Sequence, residues 1–181
     1  MANEKLYNEL LERGFDQTEI NQFLKAHEHG VYFPRSLKNI EIMRTMREIC
    51  AKHDYKFSVK QQEIILNGLL KGVDASKYAN PDYNYAVMRE VFCGLVNGVD
   101  ITEHKNFAMS ATVAKEVRIA MQNKLNKEQI EFLISTWRNY HCDLCEVRYC
   151  LEAGVPISAF KTLSSFYKSD IVSLRKKYKE N

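Results

Sequence analysis

Gly68-Leu69-Leu70-Lys71-Gly72-Val73-Asp74 and Gly94-Leu95-Val96-Asn97-Gly98-Val99-Asp100 are one phrase written twice, 26 residues apart. Each closes an apolar run, Ile64-Ile65-Leu66 before the first and Val91-Phe92 before the second. Glycine just past a helix accepts the left-handed backbone that ends it, and the Val after it folds back on the last turn. A helix stop repeated at a fixed interval marks a repeat protein.

The repeat extends in both directions. Sixteen residues past Gly30, Gly72 and Gly98 stand Met46-Arg47-Glu48-Ile49, Met88-Arg89-Glu90-Val91 and Ala114-Lys115-Glu116-Val117. Gly154 is preceded by Glu146-Val147 and Leu151, as Gly98 is by Glu90-Val91 and Leu95. Phe15 and Phe57 lie fifteen before Gly30 and Gly72, and Leu125-Asn126-Lys127-Glu128-Gln129-Ile130 reads as a further start. Its glycine is missing, with Tyr140-His141 in its place. Ile, Val, Leu and Met at spacings of three and four form one buried stripe per helix, which neighbouring units must cover.

The expected fold is all-α: stacked helical-hairpin repeats, a short α-solenoid-like array of about nine helices and no sheet. One domain over 1–181 is expected, with an N-terminal helical cap at 1–14, repeats at about 15–155 and a C-terminal helical cap at 156–181. Asp16, Ser58, Asn84, Ser110, Asn126 and Asp143 read as N-caps, Pro156 as the start of a last stretch, and Asp170 as cap of a final short helix. Leu6, Leu10 and Leu11 are expected to face inward from the first helix. The link Phe33-Pro34-Arg35-Ser36 precedes a helix expected from about Leu37 to His53.

Composition narrows the function classes. Three prolines and seven glycines are few for a loop-rich β protein. No apolar run is long enough to span a bilayer and no basic-then-apolar leader is present, so a cytoplasmic protein without a membrane role is expected. Five cysteines, an odd count, read as free thiols in a reducing compartment. The formal net charge is +3, with acidic residues gathered in 1–30 and Lys168, Arg175, Lys176, Lys177 and Lys179 at the other end. Such asymmetry suits an anionic partner or a charged protein surface, or a solvated terminal helix.

No constellation reads as catalytic. Cys142-Asp143-Leu144-Cys145 with Cys150 and His141 offers one close ligand pair where zinc takes two, so buried thiols are the preferred reading and no cofactor or metal is expected. Asp74 and Asp100 lack the alternating oxygen ligands of a calcium loop and read as turn caps. Glu48, Glu90, Glu116 and Glu146 recur once per unit, whereas catalytic carboxylates occur once per site. With Arg47, Arg89 and Lys115 beside them they read first as a ladder of inter-repeat ion pairs or as polar-face residues. The second reading is a basic track of Arg47, Arg89, Lys115, Arg118, Arg175, Lys176 and Lys177 following phosphates of DNA or RNA. The many aromatics near the links, among them Tyr140, Tyr149, Phe166 and Tyr167, either wedge repeats together or form stacking platforms.

The stretch Gly72-Val73-Asp74-Ala75-Ser76-Lys77-Tyr78-Ala79-Asn80-Pro81 followed by Met88-Arg89-Glu90-Val91 resembles short helical repeats of proteins from phages and mobile elements of gut Firmicutes. A small all-helical protein of this kind also resembles the anti-CRISPR class, which inhibits RNA-guided DNA nucleases of type II systems. That resemblance implies a non-enzymatic inhibitor in the bacterial host cell, with a type II CRISPR effector as protein partner. The alternative is a nucleic-acid-binding repeat module. Repeat edges also allow a homodimer.

Overall fold

A computed structural model describes residues 2–34, 39–140 and 142–179. Among these the chain is all-helical: α1 (Ala2–Glu12), α2 (Gln17–Glu28), α3 (Ile40–Lys52), α4 (Val59–Leu70), α5 (Tyr85–Val96), α6 (Ala111–Gln122), α7 (Lys127–Tyr140), α8 (Leu144–Glu152), the single turn α9 (Ile157–Phe160) and α10 (Lys168–Lys179). Ten α-helical segments thus stand where about nine were expected. Short 3-10 turns at Ala75–Lys77, Ile101–Glu103 and Phe107–Met109 fill the links. No described helix is long and apolar enough to cross a membrane.

The expected caps form. Asp16 and Ser58 each accept from the backbone N–H three residues on, while Glu19 and Gln61 reach back to the cap's own N–H. Asn84 Oδ1 accepts from Val87 N at 2.9 Å, Ser110 Oγ from Val113 N at 3.1 Å, and Asn126 Oδ1 from Gln129 N at 2.9 Å. Asp143 caps α8. Asp170, in contrast, lies inside the first turn of α10, where its carboxylate accepts from the Ser165 hydroxyl. The third helix begins at Ile40 under an Asn39 cap; Arg35, Ser36, Leu37 and His141 lie outside the described residues.

The twice-written phrase ends its helices as expected. Gly72 and Gly98 sit at φ +69° and +77°. Val73 N–H donates to the Gly68 carbonyl at 2.9 Å and Val99 N–H to the Gly94 carbonyl at 3.0 Å, the paired bonds of a left-handed helix end. Two further helices end this way without glycine. Lys124 (φ +63°) closes α6, with Leu125 N–H donating to the Ala120 carbonyl at 3.0 Å, and Asp54 (φ +52°) closes α3.

The first glycine of the phrase has a different job. Gly68 and Gly94 lie inside α4 and α5. A Cβ on Gly68 would sit 1.7 Å from the Tyr78 hydroxyl oxygen. That hydroxyl donates to the Ile64 carbonyl at 3.2 Å, and Tyr78 is fully buried. In the second copy a Cβ on Gly94 would meet the Val99 carbonyl at 2.8 Å and the Ile101 side chain at 3.6 Å. Ala75 and Tyr78 in the first copy correspond to Ile101 and His104 in the second. The smaller residue at one place is matched by the larger at the other, which keeps each core filled.

The chain divides within α5 into two compact units, residues 1–88 and 89–181. In the first, α1 packs on α2, α2 on α3 and α3 on α4. Leu10, Phe15, Ile20, Phe23, Met43 and Leu66 form its core, with Phe15 and Phe33 edge-on to Phe23 at 4.9 and 5.1 Å. Leu11, expected inward, is 54% exposed: one step of about 100° past Leu10 carries it off the buried stripe. Gln61 and Gln62 are buried mid-pattern. Gln61 Nε2 donates to the Pro81 and Tyr83 carbonyls at 3.1 and 2.7 Å, and Gln62 Nε2 to those of Gly30 and Phe57 at 3.1 Å each. Both amides thereby tie links to α4 with every buried donor in use.

In the second unit α6 packs on α7 and α8, and α8 on α7 and α10. Alternate helices lying side by side is what stacked helical hairpins require. Val113, Ala114, Val117, Leu133, Val147, Cys150, Leu151 and Ile171 fill its core.

Candidate binding surface

The recurring carboxylates do form rungs. Arg118 Nε donates to Glu90 Oε2 at 2.8 Å, linking α6 to α5. Arg148 Nε donates to Glu116 Oε2 at 2.7 Å, linking α8 to α6. Arg175 Nη2 lies 3.0 Å from Glu146 Oε2, linking α10 to α8. In the first unit Arg44 Nε donates to Glu19 Oε1 at 2.7 Å, linking α3 to α2.

Helix geometry explains the pattern. Glu116-Val117-Arg118 and Glu146-Val147-Arg148 are the same triplet, with the Val fully buried. Residues one step either side of it lie about 100° away, so the carboxylate and the guanidinium leave opposite flanks of the helix. Each reaches a different neighbour. The residue before the Glu points about 200° away from the Val, toward solvent. Arg89 and Lys115 stand there and are exposed. In α6 and α8 the inter-helix cation is therefore the residue two after the carboxylate, whereas Arg89 meets its neighbour Glu90 at 3.2 Å on the same helix. Among the described residues Glu48 joins no rung; its side chain is 66% exposed and meets Arg47.

The seven basic residues picked from sequence thus have different fates. Arg118 and Arg175 are held in rungs, the latter with its guanidinium 5.2 Å from the Tyr149 ring centre. Arg47 lies 5.1 Å over the Phe23 ring with its side chain 12% exposed, covering the core of the first unit. Arg89, Lys115, Lys176 and Lys177 are exposed in the second unit. Lys179 lies at the edge of the described chain.

Pairing favours the charged forms of Glu19 and Arg148. The hydrogen bond from Arg44 holds the Glu19 carboxyl below its usual range. Burial works against the charge on Arg148, but Glu116 and Glu152 more than offset it and the guanidinium is held above its ordinary value. Missed by sequence reading was Arg148 itself, 4% exposed, which sits in the same triplet as Arg118 and was legible from that spacing.

The thiols face separate surroundings. Cys150 Sγ donates to the Ile171 carbonyl at 3.3 Å, and Cys145 Sγ accepts from Arg148 Nη2 at 3.7 Å. Burial pushes Cys50 and Cys150 up to about 11 and raises Cys142 as well. Among the described residues no three His, Cys, Asp or Glu side chains converge on a metal position. Asp74 Oδ1 and Asp100 Oδ1 accept from the N–H two residues on, each at 3.0 Å, and from the Ser76 and Thr102 hydroxyls, each at 2.6 Å. These are turn caps. His104, the counterpart of Tyr78, is 7% exposed with a buried Nδ1 that has no partner among the described residues, beside a pocket of about 440 Å³ walled by Asp100, Met121 and Lys127.

No family model, no curated protein and no solved structure matches the chain.

Proposed function

We propose that this is a non-enzymatic binding protein which inhibits an RNA-guided DNA nuclease of a type II system by docking on it. The observation that carries the binding reading is the division of charge around the recurring Glu-Val pairs of α5 and α6. Carboxylates turn inward to the rungs, and the outward positions of α5 and α6 are held by Arg89 and Lys115. With Lys176 and Lys177 exposed on α10, the described surface of the second unit offers cations on rigid helices. Such a surface suits an acidic protein groove or a nuclease–RNA–DNA assembly. The buried, proton-holding thiols of Cys50, Cys142 and Cys150 are poor nucleophiles, which also favours binding over chemistry. The choice of nuclease rests on the resemblance of the repeat wording.

The test is direct. Purified protein is titrated into a guide-loaded type II effector and cleavage of a matching DNA is followed. Dose-dependent loss of cleavage with a co-eluting complex is expected. Full cleavage at excess protein, with no co-elution, refutes the nuclease as partner. The exposed cations also favour a second reading, a module following nucleic-acid phosphates. It predicts affinity for DNA or RNA that falls steeply with salt.

A further inference from the structure

Asparagine stands directly before glycine twice in the chain, at Asn67-Gly68 and Asn97-Gly98. Such a pair can react with itself. The glycine backbone nitrogen attacks the side-chain carboxamide carbon, a succinimide ring closes and ammonia leaves. Water then opens the ring to aspartate or isoaspartate. Glycine, with no Cβ, leaves the attacking nitrogen unshielded and the backbone free to turn toward the ring. The structure places the two pairs differently. Asn67-Gly68 lies inside α4, with Gly68 buried and the Tyr78 hydroxyl packed on it. That peptide cannot rotate unless the helix opens and a fully buried ring moves. Asn97-Gly98 lies just past the end of α5, both residues are exposed, and a Cβ on Gly98 would meet nothing within 4 Å. Its restraints are the Asn97 Nδ2 bond to the Cys93 carbonyl at 2.7 Å and the Gly98 N–H bond to the Leu95 carbonyl at 3.1 Å. Both belong to the last turn of a helix, the part that opens at least cost.

We infer that Asn97 is a deamidation site of the folded protein and that Asn67 is shielded from the same reaction. The product alters the helix stop. A carboxylate replaces the carboxamide at position 97, so the donor to the Cys93 carbonyl is lost. Its negative charge falls at the C-terminal end of α5, where the helix dipole disfavours it, and Asp100 follows three residues on. Isoaspartate also adds a methylene to the backbone before Gly98, which puts the Gly98 and Val99 N–H groups out of register with the Leu95 and Gly94 carbonyls. The equivalent position in the first copy is Lys71, so of the twice-written phrase the second stop alone carries this liability. The reaction needs no partner but water and stands apart from the nuclease reading.

The test incubates the whole protein, folded and in urea, at mildly alkaline pH. Tryptic peptides 61–71 and 90–105 are then followed by mass spectrometry, with enzymatic methylation marking isoaspartate. In the folded protein product is expected in 90–105 at least ~10-fold faster than in 61–71, because Asn67-Gly68 needs a far larger opening to react. The two rates should converge in urea. Asn97→Gln should silence 90–105, since the larger glutamine ring closes slowly. The deamidated fraction, separated by its extra negative charge, should melt below the unmodified protein, as should Asn97→Asp. Equal rates in the folded protein, or product first in 61–71, overturns the inference. So does product persisting in Asn97→Gln, or a folded 90–105 that stays intact while the unfolded chain converts. A modified fraction that melts unchanged refutes the loosened stop.

Discussion

Replacing Arg148 with Met tests the central rung. Arg148 and Glu116 have side chains only 5% exposed, and Nε meets Oε2 at 2.7 Å. Met fills much of the same volume, so little packing is lost. What remains is a buried carboxylate without its cation, which costs about 3–5 kcal/mol. Glu152, the second partner of Arg148 at 2.6 Å, is 21% exposed and keeps the Asn123 amide at 2.7 Å, so it adds little. The loss is a large share of the total stability of a domain, about 5–15 kcal/mol. Urea unfolding followed by Trp137 fluorescence measures it. The other rungs set a gradient. Arg118→Met should cost about 2 kcal/mol, since Glu90 retains Arg89 at 3.2 Å. Arg175→Met should cost about 1 kcal/mol, since Glu146 retains Lys168 at 3.7 Å. Adding Glu116→Gln to Arg148→Met removes the orphan charge and should restore part of the stability. A loss below about 1 kcal/mol for Arg148→Met, or a double variant weaker than the single, would refute the reasoning.

Three further outcomes are expected. Gly68→Ala should cost about 1–3 kcal/mol through its clash with Tyr78, and Tyr78→Phe should regain part of that in its background, read by thermal melts of all three proteins. Lys124→Gly should raise stability by up to about 1 kcal/mol, because Lys there bears a left-handed backbone; a lowered melting midpoint would contradict it. Burial holds His104 below its ordinary value of 6.5, so the fold keeps it neutral. The unfolded chain then takes up protons first as pH falls through 6.5, and stability declines from there down to the folded-state value. Urea midpoints against pH should show this slope in wild type, and replacement by Leu should flatten it.

How far the sequence could be read depended on whether the signal was local. Caps and glycine stops declare themselves within four residues, and Asp16, Ser58, Asn84, Ser110, Gly72 and Gly98 behave as expected. Lys124 carries the same backbone without the residue that advertises it, so that end was silent, whereas α3 stops at Lys52 beside the His53 expected to end it. The ladder was legible from its carboxylates, but the choice of arginine depended on which flank of the helix faced a neighbour. Gly68 read as part of a stop because its real constraint, Tyr78, lies across a link. The Tyr140–Phe166 stack joins positions 26 residues apart with no shared pattern, and only the fold brings them together.

The run of rungs has a grammar with a first and a last word. Phe92 stands two residues after Glu90, where Arg118 and Arg148 follow their own carboxylates, and Ser173 stands two before Arg175, where Glu116 and Glu146 precede their arginines. Helix α5 therefore offers only an acceptor to this series and α10 only a donor, and each is already engaged by the helix next in line. A second copy laid against either helix would therefore have to meet exposed cations such as Arg89 or Lys176 rather than extend these rungs.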